Sequence, residues 1–131
     1  MALMNWTEKE HGTTVTVADD QHKEIFRMVN GLHDTAASGD RAAIGRQLDA
    51  LIDYVVMHFK TEEKLMQDKG YPDFAAHKAE HDKLVATCAD LQKKFHAGQA
   101  EVSQDTTSFV RDWLYGHIPK IDKPYGPCLN G

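Results

Sequence analysis

The chain has 131 residues, 41% of them apolar and 27% charged, with a net charge of −5. That is material for one domain with its own core and no need of disulfides. The acidic balance and scattered basic residues argue against nucleic acid as a partner, and no apolar run reaches the roughly 18 residues that insert in a membrane.

The first eight residues, Met1 to Glu8, lack a basic stretch followed by a long apolar run, so no signal peptide is expected. Cys88 and Cys128 cannot build a disulfide framework and are expected as reduced thiols of a cytoplasmic protein. Residues 1–18 have no helical period. Gly12 and the run Thr13-Thr14-Val15-Thr16-Val17 predict an extended N-terminal arm, because an isolated strand has no sheet to join.

From Asp19 the period becomes helical. His22, Ile25, Val29, Leu32 and Ala36 share one face of a helix over about residues 19–37, with Asp19 or Asp20 placed to cap or charge its first turn. Ser38-Gly39-Asp40 ends it, and Asp40 is the expected cap of a second helix over about 41–69. The inward stripe there is Ile44, Leu48, Leu51, Val55, His58, Glu62 and Leu65. Gly70 and Pro72 separate it from a third helix over about 72–97, which carries Phe74, His77, His81, Leu84, Cys88, Leu91 and Phe95 on one side. A fourth helix is expected over about 101–118, with Phe109 or Val110, Trp113 and His117 inward and Pro119 bending or ending it. The tail, 123–131, reads as irregular. The fold class is all-α: four amphipathic helices with short connections make an up-down-up-down four-helix bundle, preceded by the extended arm.

Eight histidines in a chain of this length are unusual, and their placement is informative. His77 and His81 lie four apart, on one helix face and about 5.4 Å from each other along the axis. His58 and Glu62 repeat that spacing with two donor types. His22 and His117 sit on the apolar faces of the first and fourth helices, so every helix aims a metal-competent group at the core. The five-residue interval from His117 to Asp122 would separate the two by about 140° on an ideal helix, and Asp122 joins the group only if the backbone near Pro119 is distorted. Taken singly, a histidine such as His22 on an apolar face is most often a satisfied core residue. Five imidazoles and a glutamate on four inward stripes are better explained by a metal, since burying them without partners costs several kcal/mol, on the order of one group's desolvation each.

The donor arithmetic fits a pair of metals. Five imidazoles, two bridging carboxylates and one bridging oxide or hydroxide supply eleven bonds where two six-coordinate ions take twelve, leaving one position for a small ligand. Imidazole and carboxylate without thiolate suit iron better than tetrahedral zinc or the oxygen-loving calcium and magnesium. His11, His33 and His96 lack this context and read as surface histidines. Glu63 points about 100° from Glu62, Glu80 faces outward, and Cys88 reads as a small core residue.

The segments Asp19-Asp20-Gln21-His22, His58-Phe59-Lys60-Thr61-Glu62, His77-Lys78-Ala79-Glu80-His81 and His117-Ile118-Pro119-Lys120-Ile121-Asp122, with Asn5-Trp6 and Trp113-Leu114, resemble the hemerythrins, specifically their single-domain prokaryotic members. The resemblance spans nearly the whole chain in the family's order. It implies a single hemerythrin-like di-iron domain over 1–131 with two Fe ions and a bridging oxo or hydroxo group. His77, His81 and His117 would hold one iron, His22 and His58 the other, and Glu62 and Asp122 would bridge them. Dioxygen would bind reversibly on the His22 and His58 side, for storage or delivery, with no catalytic residue. Trp113, one turn before His117, is a candidate wall of the oxygen pocket, with Ile25, Val55, Leu114 and Ile118 as neighbours. Pro119 departs from a regular last helix and bears on the geometry of Asp122. The expected partner is dioxygen, with neither nucleic acid nor membrane insertion, and delivery to an oxygen-using enzyme is open. Two other classes compete: a di-iron enzyme reducing peroxide or nitric oxide, and an oxygen or iron sensor acting through a separate partner.

Overall fold

The computed structural model describes residues 3–130, so the outermost residues of the expected arm and tail, 1, 2 and 131, lie outside it. Four long helices account for most of the chain: α2 (Thr16–Ser38), α3 (Arg41–Asp68), α4 (Phe74–His96) and α5 (Gln104–His117), preceded by a single turn, α1 (Glu8–His11). A π-helical turn, Ile118–Asp122, a 3-10 turn, Lys123–Tyr125, and a short helix, α6 (Gly126–Asn130), follow. No strand occurs among the described residues. Helix α2 packs on α3 and α5, and α3 on α4, which gives the bundle.

Local chemistry sets the joints. Gly39 ends α2 in the left-handed conformation, φ 74°, where a side chain would be strained. Asp40 caps α3 by accepting from the Ala43 amide at 3.2 Å. Ser103 and Thr106 form a reciprocal capping box that starts α5 three residues later than its apolar period suggested. At α4, Tyr71-Pro72-Asp73 forms a turn and the helix starts at Phe74, not at the proline.

Three sequence expectations are corrected. The arm is not extended throughout, because Thr7 caps the α1 turn. Helix α2 begins at Thr16, so Asp19 charges its first turn, as one alternative had it, and does not cap it; its carboxylate accepts from the Thr13 amide at 2.9 Å and hydroxyl at 2.7 Å. Of the two residues expected as alternatives on the inner face of α5, Val110 is the one that packs on the main core, while Phe109 is 52% exposed. The tail is also ordered into turns, because Tyr125 and Leu129 fill a second apolar cluster with Val15, Ala18 and Met66. That burial holds Thr16 and Val17 in a helix despite their β-branched preference. The main core joins Ile25, Phe26, Val29 and Leu32 of α2 to Leu48, Leu51 and Ile52 of α3, with Phe95, Leu114 and Ile118 closing it. Each such side chain stabilises the fold by about 1.5–3 kcal/mol when fully buried.

Candidate metal centre

Between the two apolar clusters lies a polar layer made by all four helices. His22 comes from α2, His58 and Glu62 from α3, His77 and His81 from α4, His117 from the end of α5 and Asp122 from the π-helical turn. All seven are buried, none more than 6% exposed. Their donor atoms fall into two groups: His77, His81, His117 and Asp122, and His22, His58 and Glu62, each group with its atoms within 4.8 Å of one another.

The carboxylates tie the groups together. Glu62 places Oε2 3.3 Å from both His22 Nε2 and His58 Nε2, and Oε1 3.2 Å from His81 Nε2. Asp122 places Oδ1 2.8 Å from His77 Nε2 and 3.0 Å from His117 Nε2, and Oδ2 3.1 Å from His22 Nε2. Each carboxylate thus divides its two oxygens between the two imidazole groups.

The π-helical turn explains the odd spacing of the last two donors. In π geometry the hydrogen bond runs over five residues, and the Lys123 amide bonds back to the Ile118 carbonyl accordingly. The wider turn carries Asp122 round to His117, which the α-helical period would have separated. Pro119, at the start of the turn, has no amide to contribute to the α-helical ladder.

The residues fit a pair of transition-metal ions. Glu62 Oε1, both oxygens of Asp122 and the Nε2 atoms of His77, His81 and His117 are buried without a hydrogen-bond partner. They approach one another in distance but not in hydrogen-bond geometry, so they converge on common centres instead of pairing. Orphaned polar atoms at this density are rare in protein interiors, and imidazole with carboxylate is a donor set suited to iron.

Neighbouring groups set the tautomers and planes of the rings. The Gln21 amide oxygen accepts from His58 Nδ1 at 2.7 Å and the Glu63 carboxylate from His81 Nδ1 at 3.0 Å, which leaves each Nε2 free to ligate. Phe59 stacks on His81 (3.8 Å, 4°), Trp113 on His117 (4.2 Å, 14°) and Tyr125 on His77 (5.6 Å, 9°). The Tyr125 hydroxyl donates to Glu62 Oε2 at 2.5 Å. Gln21, Glu63 and Tyr125 carry no signal in the sequence, because each acts across a helix interface.

The electrostatics are those of a compact anion–imidazole cluster. Burial works against a charged His22, but Asp122 and Glu62 outweigh it and push its pKa up to about 10. Burial pushes His58 down. Burial would raise both carboxyls, yet His58, His22 and His81 hold Glu62 well below its ordinary range, and His117, His22 and His77 do the same for Asp122 against the added repulsion of Glu62. Burial and the two carboxylates raise the Tyr125 phenol, so it stays a donor.

Of the histidines expected at the surface, His96 is exposed and pairs with Asp49 at 2.8 Å, and His33 is half-buried on Thr107 at 2.6 Å. His11 is a correction: it is 2% exposed, ringed by Trp6, Phe26 and Tyr115. Its Nδ1 accepts from the Thr7 amide, and burial lowers its pKa. The turn at α1 folds it inward, which an aperiodic arm did not announce. Glu80 is half-buried, not fully outward. Cys88 and Cys128 are free, and Cys88 packs against the core.

An apolar cavity of about 40 Å3 lies within the main core, and Phe59, which stacks on His81, is part of its wall. Ile25, Val55 and Leu114 are among its lining residues. Trp113 stacks on His117, and Ile118 is wholly buried in the core.

Residues 13–129 match the model of the hemerythrin HHE cation-binding domain. The chain is 77% identical to the bacteriohemerythrin of Methylococcus capsulatus over 99% of both chains. It is 37% identical to that of Stenotrophomonas maltophilia over 95% of this chain and 80% of the relative. A crystal structure of a wild-type hemerythrin superposes with a TM-score of 0.99 at 76% identity, covering 99% of this chain and 100% of that one. With this match over almost its whole length, and with the family's cation-binding character mirrored in two buried imidazole–carboxylate groups, the chain belongs to the hemerythrin family.

Proposed function

We propose that this protein binds dioxygen reversibly at a non-haem di-iron centre held by His22, His58, Glu62, His77, His81, His117 and Asp122, and that it stores or delivers the gas in the cytoplasm. The observation that carries this is the division of Glu62 and Asp122, each with one oxygen toward either imidazole group. That is the disposition of bridging ligands. The relatives' shared name, bacteriohemerythrin, supports the same reading.

Iron at both positions supplies the electrons and the open coordination position that dioxygen binding needs. The protein's part is to hold and to shield. Three imidazoles face one position and two the other, so the His22 and His58 side is the one that would take a further ligand. Tyr125 holds Glu62 by its hydrogen bond, and Gln21 holds His58 in the tautomer that presents Nε2. Ile25, Val55, Phe59 and Leu114 keep the adjoining space apolar, which excludes the water that would solvate charge released from the site. A bound gas needs little more than such a dry, preformed cavity. Any oxygen-using enzyme that receives it would do so by release into solution or transient contact.

The test is a visible spectrum of the anaerobically reduced, iron-loaded protein before and after air, repeated after the oxygen is removed. We expect a band that appears and disappears over several cycles with two irons per chain. An irreversible change, or consumption of peroxide or nitric oxide over many turnovers, would make the protein an enzyme instead. Zinc, or well under two irons per chain, would remove the di-iron reading.

A further inference from the structure

The five imidazoles are not supported alike on the edge that faces away from the cluster. His81 Nδ1 donates to an anionic carboxylate, Glu63, at 3.0 Å. His58 Nδ1 donates to a neutral amide oxygen, that of Gln21, at 2.7 Å. His22 and His77 have no hydrogen-bond partner at Nδ1.

The Glu63 side chain is 16% exposed and sits in a surface groove with Lys60, Lys78 and Asp82. Lys78 is engaged by Asp82 at 2.9 Å, so Glu63 is left to His81. Phe59, stacked in parallel on the same imidazole, keeps the ring in the plane that the carboxylate requires.

A carboxylate that accepts from one imidazole nitrogen makes the other a stronger donor to a metal. The charged acceptor also holds the ring about twice as strongly as a neutral one. The position facing His77, His81, His117 and Asp122 has one more imidazole than the other and, through Glu63, an anionic acceptor behind one of them, where the other position has the neutral amide of Gln21. Resting on the di-iron reading above, we propose that Glu63 is a positioning residue. Acting through His81, it makes the three-imidazole position the tighter-binding and the more readily oxidised of the two. Neutral Gln21 leaves the two-imidazole position the weaker and the later to be oxidised.

The experiment uses the full-length chain. Cobalt(II) affinities are measured by competition with a chelator, and the two one-electron potentials of the iron-loaded protein by anaerobic redox titration. For Glu63→Gln, which keeps shape but removes charge, the tighter cobalt step weakens by about 10–100-fold while the weaker step holds. The lower potential rises, by about 59 mV for each tenfold change in the one-electron equilibrium. Gln21→Glu acts in the opposite direction: it strengthens the weaker step and draws the two potentials together. If Glu63→Gln leaves both cobalt steps and both potentials unchanged, or if Gln21→Glu weakens its own step, the role given to Glu63 is wrong. Uptake of two metals by the wild-type chain, with potentials that neither substitution moves, sinks this inference alone. A chain that cannot hold two metals sinks the di-iron reading with it.

Discussion

At the scale of single residues, the site is decided by small groups that complete larger ones. Tyr125 is fully buried, and its hydroxyl meets an oxygen of Glu62 that has no water to replace it. Tyr125→Phe removes that donor and is expected to destabilise the fold by about 1–3 kcal/mol, read from denaturant unfolding of the wild-type and variant chains under identical metal loading. Equal stability would mean that Glu62 is satisfied in another way. Cys88 offers a pH-dependent check away from the metal ligands. Burial raises its thiol pKa above the ordinary thiol value, so the unfolded thiol ionises before the folded one. The stability this gives is complete below about 8.5, the ordinary thiol value, and declines as pH rises further. A thiol reagent near neutral pH should label Cys128 several-fold faster than Cys88, and the reverse order would contradict the burial of Cys88.

The π-helical turn and the C-terminal turns are the elements that the centre depends on. Ile118–Asp122 converts a five-residue interval into a shared direction, and the turns after it bring Tyr125 under Glu62. Gly126 is the point where this segment meets the arm: a Cβ there would fall inside van der Waals contact of the Thr13 carbonyl oxygen. Gly126→Ala is therefore expected to push the arm and the C-terminal segment apart and to cost about 1–3 kcal/mol, as overpacking does. Thermal unfolding measures the loss, and faster proteolysis within residues 1–18 would locate it. An unchanged melting temperature would show that the close approach is not needed.

Across the whole molecule, two apolar clusters flank a polar layer that no ordinary core would tolerate. The main cluster supplies stability, and the layer draws it down until a metal satisfies the converging donors. Iron removal by a chelator is expected to lower the melting temperature substantially, since a ligand present at about 1,000 times its Kd contributes roughly 4 kcal/mol. Calorimetry with and without chelator decides this. Identical transitions would mean that the donors are content without a metal. No helix of the described residues is long and apolar enough to cross a membrane.

Much of this protein follows from its sequence alone. The 3.6-residue period places His22, His58, Glu62, His77, His81 and His117 on inward faces, because a helix carries residues four apart to one side whatever packs against it. The four-helix class and the boundaries at Gly39 and Asp40 are local for the same reason. What the tertiary structure alone decides is whatever depends on a neighbour distant in sequence. The early start of α2 and the order of the tail come from burying Val15 with Tyr125 and Leu129. Asp122 reaches its place through a turn that α-helical periodicity does not describe. The inward turn of His11 and the support of His58 and His81 by Gln21 and Glu63 are contacts between separate elements. A period specifies a direction from one helix axis; which atoms meet there is settled only when the axes themselves are packed.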